Sequence, residues 1–309
     1  MPYFSVCIPL YNKANFIAET INSVLNQLFS DLEIVVCDDG STDDSARIVA
    51  QFDDNRIKLI QQENQGASAA RNRAIKESTG EYIAFLDADD IWYREHLSHI
   101  EYLINNYKDA KLLATNYEIQ MPGRKKRLPF FSKELGIGII EDYFLASLSD
   151  AVMTCFNSAV HRSVFDEIGY FDTAYRTGQD VDFEIKANLK FKLAYHDQVS
   201  VTYHRETENN LAKSKLNLDR LKYIEAYDEV AKRNESLARY LAINRFALIL
   251  KSKQAGDEVW KKALAGLKPE YLDRKQRLLL KFNGYQLRKI KQLQGVLIRK
   301  GLYLSPFKP

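Results

Sequence analysis

The stretch that says most about the fold is Gly80-Glu-Tyr-Ile-Ala-Phe-Leu-Asp-Ala-Asp-Asp90, because an apolar run ends there in a group of carboxylates. Residues Tyr82 to Leu86 have the composition of a buried strand. In sheets built from parallel strands, ligands bind beyond the carboxyl ends of the strands. We therefore expect Asp87, Asp89 and Asp90 to lie at a ligand-binding edge of such a sheet.

The first ninety residues alternate short apolar runs with longer amphipathic stretches. Such alternation predicts an α/β fold with a mostly parallel, Rossmann-like sheet and helices on both faces. The predicted strands are Phe4–Ile8, Leu32–Cys37, Ile57–Ile60 and Tyr82–Leu86, and the predicted helices are Phe16–Leu28 and Ala67–Ser78.

Beyond residue 90 the pattern is mixed and then becomes helical. A helix is expected near Arg94–Asn106, a strand near Lys111–Glu118, and another helix beginning near Asp180. Glycine and proline are both absent from Arg205 to Ala255, which predicts a helical C-terminal region over residues 211–309.

The net charge of +3 on 309 residues conceals two regions of opposite sign. Residues 213–309 contain 23 Lys/Arg and 9 Asp/Glu, a net of +14, so residues 1–212 contain 21 and 32, a net of −11. An acidic region suits a divalent cation, whereas a basic region suits a phosphate-bearing surface such as an anionic membrane.

The lengths of the apolar runs and the spacing of the cysteines also indicate the cellular compartment of the protein. The longest apolar runs are about five residues, as in Phe246–Leu250, which is too short to cross a bilayer. Cys7, Cys37 and Cys155 are widely spaced and odd in number, which argues against a disulfide framework or a structural zinc site. We expect a cytoplasmic protein without a secretory signal.

A second acidic pair, Asp38-Asp39, follows the strand Leu32–Cys37. Two carboxylate groups at the same edge of one sheet repel each other unless a cation neutralises them, and all-oxygen ligands favour Mg²⁺ or Mn²⁺. For either group taken alone, a solvated turn with a helix N-cap remains an alternative.

The order of the motifs resembles that of the family 2 inverting glycosyltransferases with a GT-A fold. The resemblance covers residues 1–90 strongly, weakens towards His204, and implies a catalytic domain over residues 1–210. Within it, residues 1–90 would form a nucleotide-binding half and residues 91–210 an acceptor half. The matching segments are Ser5-Val-Cys-Ile-Pro-Leu-Tyr-Asn12, Ser23-Val-Leu-Asn-Gln27, Glu33-Ile-Val-Val-Cys-Asp-Asp-Gly-Ser-Thr-Asp43, Gly66 to Asn72, Gly80 to Asp90, Val164 to Asp172 and Gly178 to Phe183.

The resemblance implies roles for the residues at the strand ends. Pro9 and Tyr11 would line the nucleotide site, Asp39 would accept a hydrogen bond from the base, and Arg71 would contact the nucleotide. Asp87-Ala-Asp89 matches the DXD motif of the family, with Asp89 as the direct metal ligand and Asp87 near the ribose or the metal.

The resemblance also places the catalytic base at Asp180. The family usually has Glu-Asp here, whereas this chain has Gln179, which puts the supporting role of that neighbour in doubt. Asp182 would face elsewhere on a helix. His204 follows a predicted strand, where such enzymes place a residue against the metal or diphosphate; a hydrogen-bonded histidine without a ligand is the alternative.

The implied function is transfer of a sugar, with inversion, from a UDP-sugar to a glycan hydroxyl. It would depend on Mn²⁺ or Mg²⁺ and act in bacterial surface polysaccharide synthesis, on an acceptor that is either free or lipid-linked. The alternatives are a nucleotidyltransferase, or a non-catalytic protein that binds polyanions through its basic region. Pro9-Leu-Tyr-Asn12 is not the glycine-rich phosphate loop expected of a nucleotidyltransferase. No nucleic-acid partner is expected.

The C-terminal end is basic and amphipathic. Residues 274–309 contain ten Lys/Arg and no Asp/Glu. A single helix would place Leu279, Phe282, Ile290, Leu293 and Leu297 opposite Arg277, Lys281, Arg288 and Arg299, although Gly284 and Gly295 weaken such a helix. The pattern fits either peripheral binding to the inner face of the cell membrane or packing on the rest of the protein.

Overall fold

The computed structural model describes residues 2–121, 126–205 and 216–299, with the backbone alone for residues 298 and 299. Residues 211–215 and 300–309 of the predicted helical region therefore lie outside the described residues, as does the side chain of Arg299. The chain forms two compact units. The first comprises Met1–Pro129, Leu135–Glu141 and Val152–Asn210, and the second comprises Phe130–Glu134, Asp142–Ala151 and Leu211–Pro309.

In the first unit, the described strands form one sheet in the order β3-β2-β1-β4-β9-β6-β10-β5, with β7 paired to β6 and β8 paired to β10. The strands are β1 (Phe4–Leu10), β2 (Leu32–Asp38), β3 (Ile57–Gln61), β4 (Tyr82–Phe85), β5 (Ile91–Trp92), β6 (Ala110–Gln120), β7 (Lys126–Arg127), β8 (Gly138–Ile139), β9 (Ser158–His161) and β10 (Lys192–His204).

The long ladders of this sheet are parallel, as the sequence predicts. They join β1 to β2 and β4, β2 to β3, and β6 to β10, whereas antiparallel pairing is confined to short ladders of β5, β7, β8 and β9. Leu10 lies opposite Asp38, and Cys7 lies opposite Phe85. The segments that follow β1, β2 and β4 therefore emerge side by side at one edge.

The described helices of the first unit include the four that the sequence predicts, near residues 16–28, 67–78, 94–106 and from 180, and two short ones that it does not. They are α1 (Ile17–Leu25), α2 (Ser45–Val49), α3 (Ala67–Glu77), α4 (His96–Asn106), α6 (Ser163–Ile168) and α7 (Gln179–Lys190). Phe85 of β4 packs edge-to-face against Phe171 and Phe183, with ring centroids 5.5 and 5.9 Å away. This aromatic contact fixes the end of β4 against the start of α7, so the chemistry-bearing residues of both elements face one region.

The second unit is helical, which confirms the expectation for the C-terminal region. Its helices are α5 (Tyr143–Ala146), α8 (Asn217–Ala226), α9 (Asp228–Ala231), α10 (Glu235–Ala255), α11 (Val259–Ala265), α12 (Arg274–Leu280) and α13 (Gly284–Arg299), with a 3-10 turn at Pro269–Tyr271.

The basic end of the chain is not one continuous helix, because α12 and α13 are separated at residues 281–283. A single helical projection of residues 274–299 is therefore wrong. Gly284 is where the backbone needs a glycine: a Cβ there would lie 2.0 Å from the carbonyl oxygen of Lys253. Gly295, in contrast, lies inside α13 without ending it. Within the described residues, no helix has the length and apolar character needed to span a membrane.

Candidate active site

Asp87, the first residue of the DXD segment, forms an ion pair with Arg71 of α3. Nη2 of Arg71 lies 2.5 Å from the Asp87 carboxylate, and the Arg71 side chain is only 7% exposed. Although burial disfavours its charge, the Asp87 carboxylate raises the pKa of Arg71 above its ordinary value. Burial raises the pKa of Asp87, and the Asp89 and Asp180 carboxylates add to this effect against the opposing pull of Arg71. The arginine therefore stays charged at an edge crowded with carboxylates.

Two nitrogens of the Arg71 guanidinium are available as hydrogen-bond donors. Its Nε and Nη1 atoms are buried and have no hydrogen-bond partner. The group also lies over the ring of Phe171, 5.5 Å from the centroid, which holds its plane in place. Buried donors without partners are rare in proteins and mark positions where a ligand can bind. Arg71 is thus oriented to donate two further hydrogen bonds to an oxygen-rich ligand.

Asp89 forms an ion pair with Lys13, a residue that the sequence did not single out. Lys13 Nζ lies 2.6 Å from Asp89 Oδ2, and the two side chains are 11% and 14% exposed. The backbone N–H of Lys13 donates to Ser45 Oγ, and Asn12 before it adopts a φ of 50°, in the left-handed region. This turn after β1 places the Lys13 ammonium beside the Asp89 carboxylate. In the sequence, the only indication of this role is that Lys13 comes shortly after the first predicted strand.

Asp90 is fully buried and binds the backbone of His204 at the end of β10. Asp90 Oδ1 accepts a hydrogen bond of 2.7 Å from the N–H of His204. Asp90 Oδ2 and His204 Nδ1 are both buried without a partner. Burial, together with Asp89 and Asp87, raises the pKa of Asp90 well above its ordinary value. The backbone of His204 therefore reaches the acidic segment through Asp90.

The donor set at this edge fits a divalent cation. Its side chains offer carboxylate oxygens, the chemistry that Mg²⁺ and Mn²⁺ prefer, and burial followed by the neighbouring carboxylates raises the pKa of Asp87 and of Asp90. Among the described residues, no three His, Cys, Asp or Glu side chains already converge on one point as an ion cage. A cation here would therefore complete its coordination with oxygens of the ligand, as Mg²⁺ does in phosphate sites.

Asp39 organises a different part of the edge. Its carboxylate accepts hydrogen bonds from Gln62 Nε2 at 2.7 Å, from the N–H of Gln65 at 2.9 Å and from the N–H of Gly66 at 2.8 Å. Asp39 is 2% exposed, and no hydrogen bond or ion pair in the described residues joins it to Asp87 or Asp89. Gln62 is a second residue that the sequence did not indicate.

The two remaining nucleotide-site residues lie at the end of β1. Pro9 is half-buried within the strand, and Tyr11, just beyond it, is 40% exposed. The backbone N–H of Asn12 donates to Ser41 Oγ, which ties this turn to the loop after β2. An exposed aromatic ring on a fixed turn can stack on a planar ligand.

Asp180 lies in the first turn of α7. Gly178 precedes the helix with φ 83° and ψ 9°, a left-handed conformation that glycine adopts without strain, and so sets the direction in which the helix begins. Asp180 is half-buried and contributes to the raised pKa of Asp87. Asp182 is buried and pairs with Lys186 at 2.6 Å. Gln179 is also buried, and its Oε1 has no partner.

The structure therefore brings Arg71, Asp87, Asp89 and Asp180 into one electrostatically coupled group, with Lys13 as the added cation. A half-buried carboxylate, unpaired arginine donors and an acidic segment together can bind a phosphorylated ligand and accept a proton.

Solved structures share this fold. The chain is similar to S. aureus TarS 1–349 in complex with UDP-GlcNAc, with a TM-score of 0.68, 21% identity, and coverage of 98% of this chain and 93% of that one. The same TarS segment in complex with UDP gives a TM-score of 0.62 at 21% identity, with the same coverage. The likeness at this identity shows the fold, the GT-A architecture expected from the sequence.

Curated relatives match about a third of the chain. It is 42% identical over 117 residues to the Escherichia coli UDP-Glc:alpha-D-GlcNAc-diphosphoundecaprenol beta-1,3-glucosyltransferase WfgD, covering 37% of this chain and 46% of WfgD. It is 39% identical over 116 residues to the Streptococcus pneumoniae glycosyltransferase GlyG, covering 37% of this chain and 38% of GlyG. The matched segment thus spans less than half the length of each relative.

The family model described as glycosyl transferase family 2 matches residues 5–169, which is more than half of the chain. The match contains the ends of β1, β2 and β4 together with Arg71, whereas Asp180 and His204 lie beyond it. On this match the chain belongs to glycosyl transferase family 2.

Proposed function

We propose that this protein is an inverting, metal-dependent glycosyltransferase that moves a sugar from a UDP-sugar to a hydroxyl of a glycan. The observation that carries the proposal is the coupled group of Arg71, Asp87, Asp89 and Asp180, in which two buried arginine donors lack partners. Residues 1–210 would form the catalytic domain, with a nucleotide-binding half over 1–90 and an acceptor half over 91–210.

The donor site would extend from Asp39 to Arg71. Tyr11 and Pro9 would contact the nucleotide, and Asp39 would receive the base beside the loop that it holds. The unpaired Nε and Nη1 atoms of Arg71 would donate to oxygens of the donor. A UDP-sugar is favoured because the neighbouring TarS structures contain UDP-GlcNAc and UDP, and because WfgD is named for UDP-Glc.

Asp89 would hold the cation, Mn²⁺ or Mg²⁺, with Asp87 and His204 beside it. When bound, the cation supplies positive charge that offsets the charge of the diphosphate leaving group. Lys13 would be released from Asp89 at the same time, since both bind the same carboxylate. Its ammonium would then be available to the diphosphate oxygens.

Asp180 would act as the general base. In the proposed reaction, its carboxylate takes the proton of the acceptor hydroxyl, and the hydroxyl oxygen bonds to the anomeric carbon as the bond from that carbon to UDP breaks. Attack from the face opposite the departing UDP inverts the configuration. The helix start set by Gly178 would place Asp180 on the acceptor side, close to Asp87.

The acceptor is proposed to be a lipid-linked glycan of bacterial surface polysaccharide, because the acceptor named for WfgD carries diphosphoundecaprenol. The C-terminal region would bind the inner face of the cell membrane peripherally, which leaves the protein itself cytoplasmic. On α13 the side chains of Ile290, Leu293 and Val296 are 41%, 61% and 44% exposed, among Arg288, Lys289 and Lys291. Exposed aliphatic and basic side chains on one helix suit an anionic interface.

The function is tested by measuring UDP release and product formation from a panel of sugar nucleotides, with EDTA or with added Mn²⁺. We expect release to require an acceptor and the metal, and the product linkage to be opposite in configuration to the donor. Metal-independent turnover, or a product that retains the donor configuration, would contradict the proposed mechanism.

A further inference from the structure

The second unit contains a cavity of about 200 Å³ with a basic lining. Three cations, Arg245, Lys232 and Lys268, line it together with one carboxylate, Asp228, over a floor of alanine and leucine side chains. Since a water molecule occupies about 30 Å³ of liquid, the cavity has room for a group the size of a phosphate. All of these residues belong to the C-terminal helical unit, where the sequence showed no family signature.

Arg245 of α10 provides the central charge of the cavity. Its side chain is 6% exposed, and Nη2 lies 2.5 Å from Asp228 Oδ2. Its Nε is buried without a hydrogen-bond partner. A guanidinium has five N–H donors in a fixed plane, and the bond from Nη2 to Asp228 leaves the Nε donor without a partner among the described residues. A buried arginine with an unused donor that lines a cavity is arranged to receive an anion.

Gly266 keeps the face of this guanidinium uncovered. Its φ is −91°, a conformation open to any residue, so the backbone does not require glycine here. A Cβ at this position would lie 3.2 Å from Arg245 Nε and 3.4 Å from Cζ. A larger side chain would therefore cover the guanidinium. The missing side chain leaves a space that an oxyanion can fill.

We propose that this cavity binds a phosphate group, held by Arg245 with Lys268 at its rim. The Asp228 charge is matched by Arg245, and Lys232 pairs with Glu229 at 2.6 Å, so Lys268 is the cation of the lining for which the described residues show no ion pair. Lys268 is exposed beside Gly266, so it can close over a bound phosphate. The phosphate belongs either to a soluble phosphorylated compound or to a lipid headgroup, which share the same charge and oxygen geometry.

The soluble arm of the test is calorimetric titration of the full chain with inorganic pyrophosphate in EDTA. Removing metal separates this site from the acidic catalytic edge, where a polyanion needs a cation. We expect a Kd of about 0.1–1 mM, corresponding to modest affinity. Gly266→Val should weaken binding at least tenfold and Lys268→Gln about threefold. Lys261→Gln is the matched control: its ammonium pairs with Glu258 at 2.5 Å and does not line the cavity, so binding should not change.

The membrane arm uses sedimentation with phosphatidylglycerol vesicles. If a lipid headgroup enters the cavity, Gly266→Val reduces sedimentation and pyrophosphate competes with the vesicles. If a soluble compound is the ligand, the variant loses pyrophosphate but sediments like the wild type. The proposal is overturned if the wild-type chain binds no pyrophosphate in EDTA, or if Gly266→Val and Lys268→Gln bind it as well as Lys261→Gln. Because Lys268 is exposed, that variant folds regardless of the effect of Gly266→Val.

Discussion

Lys13 Nζ lies 2.6 Å from Asp89 Oδ2, although the two residues are 76 positions apart in the chain. The Lys13 ammonium pairs with the same Asp89 carboxylate that would bind the proposed cation. A positive charge of the protein thus neutralises the DXD segment in the absence of metal.

Lys13→Met should destabilise the metal-free protein by about 1–3 kcal/mol, because it leaves a partly buried carboxylate without its partner. Added Mn²⁺ should restore more stability to the variant than to the wild type, since the ion no longer competes with the ammonium. Urea unfolding in EDTA and in MnCl₂ measures both effects. Asp89→Asn is the control and should respond little to Mn²⁺. An equal Mn²⁺ response in wild type and Lys13→Met would show that the ion and the ammonium do not share Asp89.

Asp180→Asn should lower kcat by at least about 10²-fold while leaving UDP affinity nearly unchanged, because it removes a proton acceptor at almost constant volume. Single-turnover kinetics with titration calorimetry separates the two quantities. Asp182→Asn, on the same helix turn but paired with Lys186, should retain turnover within a few-fold. If both variants lose activity alike, Asp180 has no special role as base.

Asp39→Asn should weaken UDP binding by roughly 10- to 100-fold and lower the melting temperature. The amide cannot accept all three hydrogen bonds that the carboxylate takes from Gln62, Gln65 and Gly66. If Asp39 also receives the base, the variant should lose more affinity for UDP than for CDP, whose base lacks the imide N–H. Calorimetry with both nucleotides decides between these roles: equal losses for UDP and CDP assign Asp39 to the loop alone.

Acidification should destabilise the fold through three histidines. Burial lowers the pKa of His96 well below the ordinary histidine value of about 6.5, and it also lowers the pKa of His99 and of His196, although Asp197 opposes it. Because the folded state takes up protons less readily than the unfolded chain, stability is present above pH 6.5 and is lost as the pH falls towards the folded pKa values.

The stacked pair His99 and His196, with ring centroids 4.2 Å apart, provides the test. Between pH 7.5 and 5.5 in EDTA, the melting temperature of the His99→Gln/His196→Gln variant should fall by roughly 2–4 °C less than that of the wild type. Thermal unfolding followed by circular dichroism gives both slopes. A variant as pH-sensitive as the wild type would remove these two residues from the explanation.

Substitutions on α13 test the membrane proposal better than truncation, because truncation after Lys268 would remove Leu272 and Leu287, which are each 2% exposed. Ile290→Ser/Leu293→Ser should reduce sedimentation with phosphatidylglycerol vesicles several-fold, and binding should weaken as salt rises.

The matched control for this prediction is Val230→Ser/Leu264→Ser, which removes aliphatic side chains that are 44% and 40% exposed on other helices of the same unit. It should bind vesicles as the wild type does. Equal losses in both double variants would indicate a general effect of hydrophobicity rather than a binding face.

The parallel core of the sheet could be predicted because β1, β2 and β4 are continuous buried runs that stop at polar residues. β9 could not, because four residues carry too little periodicity, and its place between β4 and β6 depends on tertiary pairing alone. Likewise, the sequence predicts that Asp87 and Asp89 lie at a strand end, but not that Arg71 and Lys13 neutralise them. Those contacts depend on the tertiary positions of α3 and of the turn after β1, which are distant from Asp87 and Asp89 in the chain or separated from them by other elements.

The strand order of the sheet also determines which strands can pair first while the chain is synthesised on the ribosome. The ladders among β1, β2, β3 and β4 need no later strand, so they can form as soon as residue 85 has emerged, whereas the other edge of β4 pairs later with β9. β6 differs, because its long ladder is to β10 and its other neighbour in the sheet is β9, both of which are translated later, and the earlier β7 pairs with only two of its residues. Its mostly buried residues therefore lack these ladders until residue 204 has been translated, which delays the second half of the sheet relative to the first.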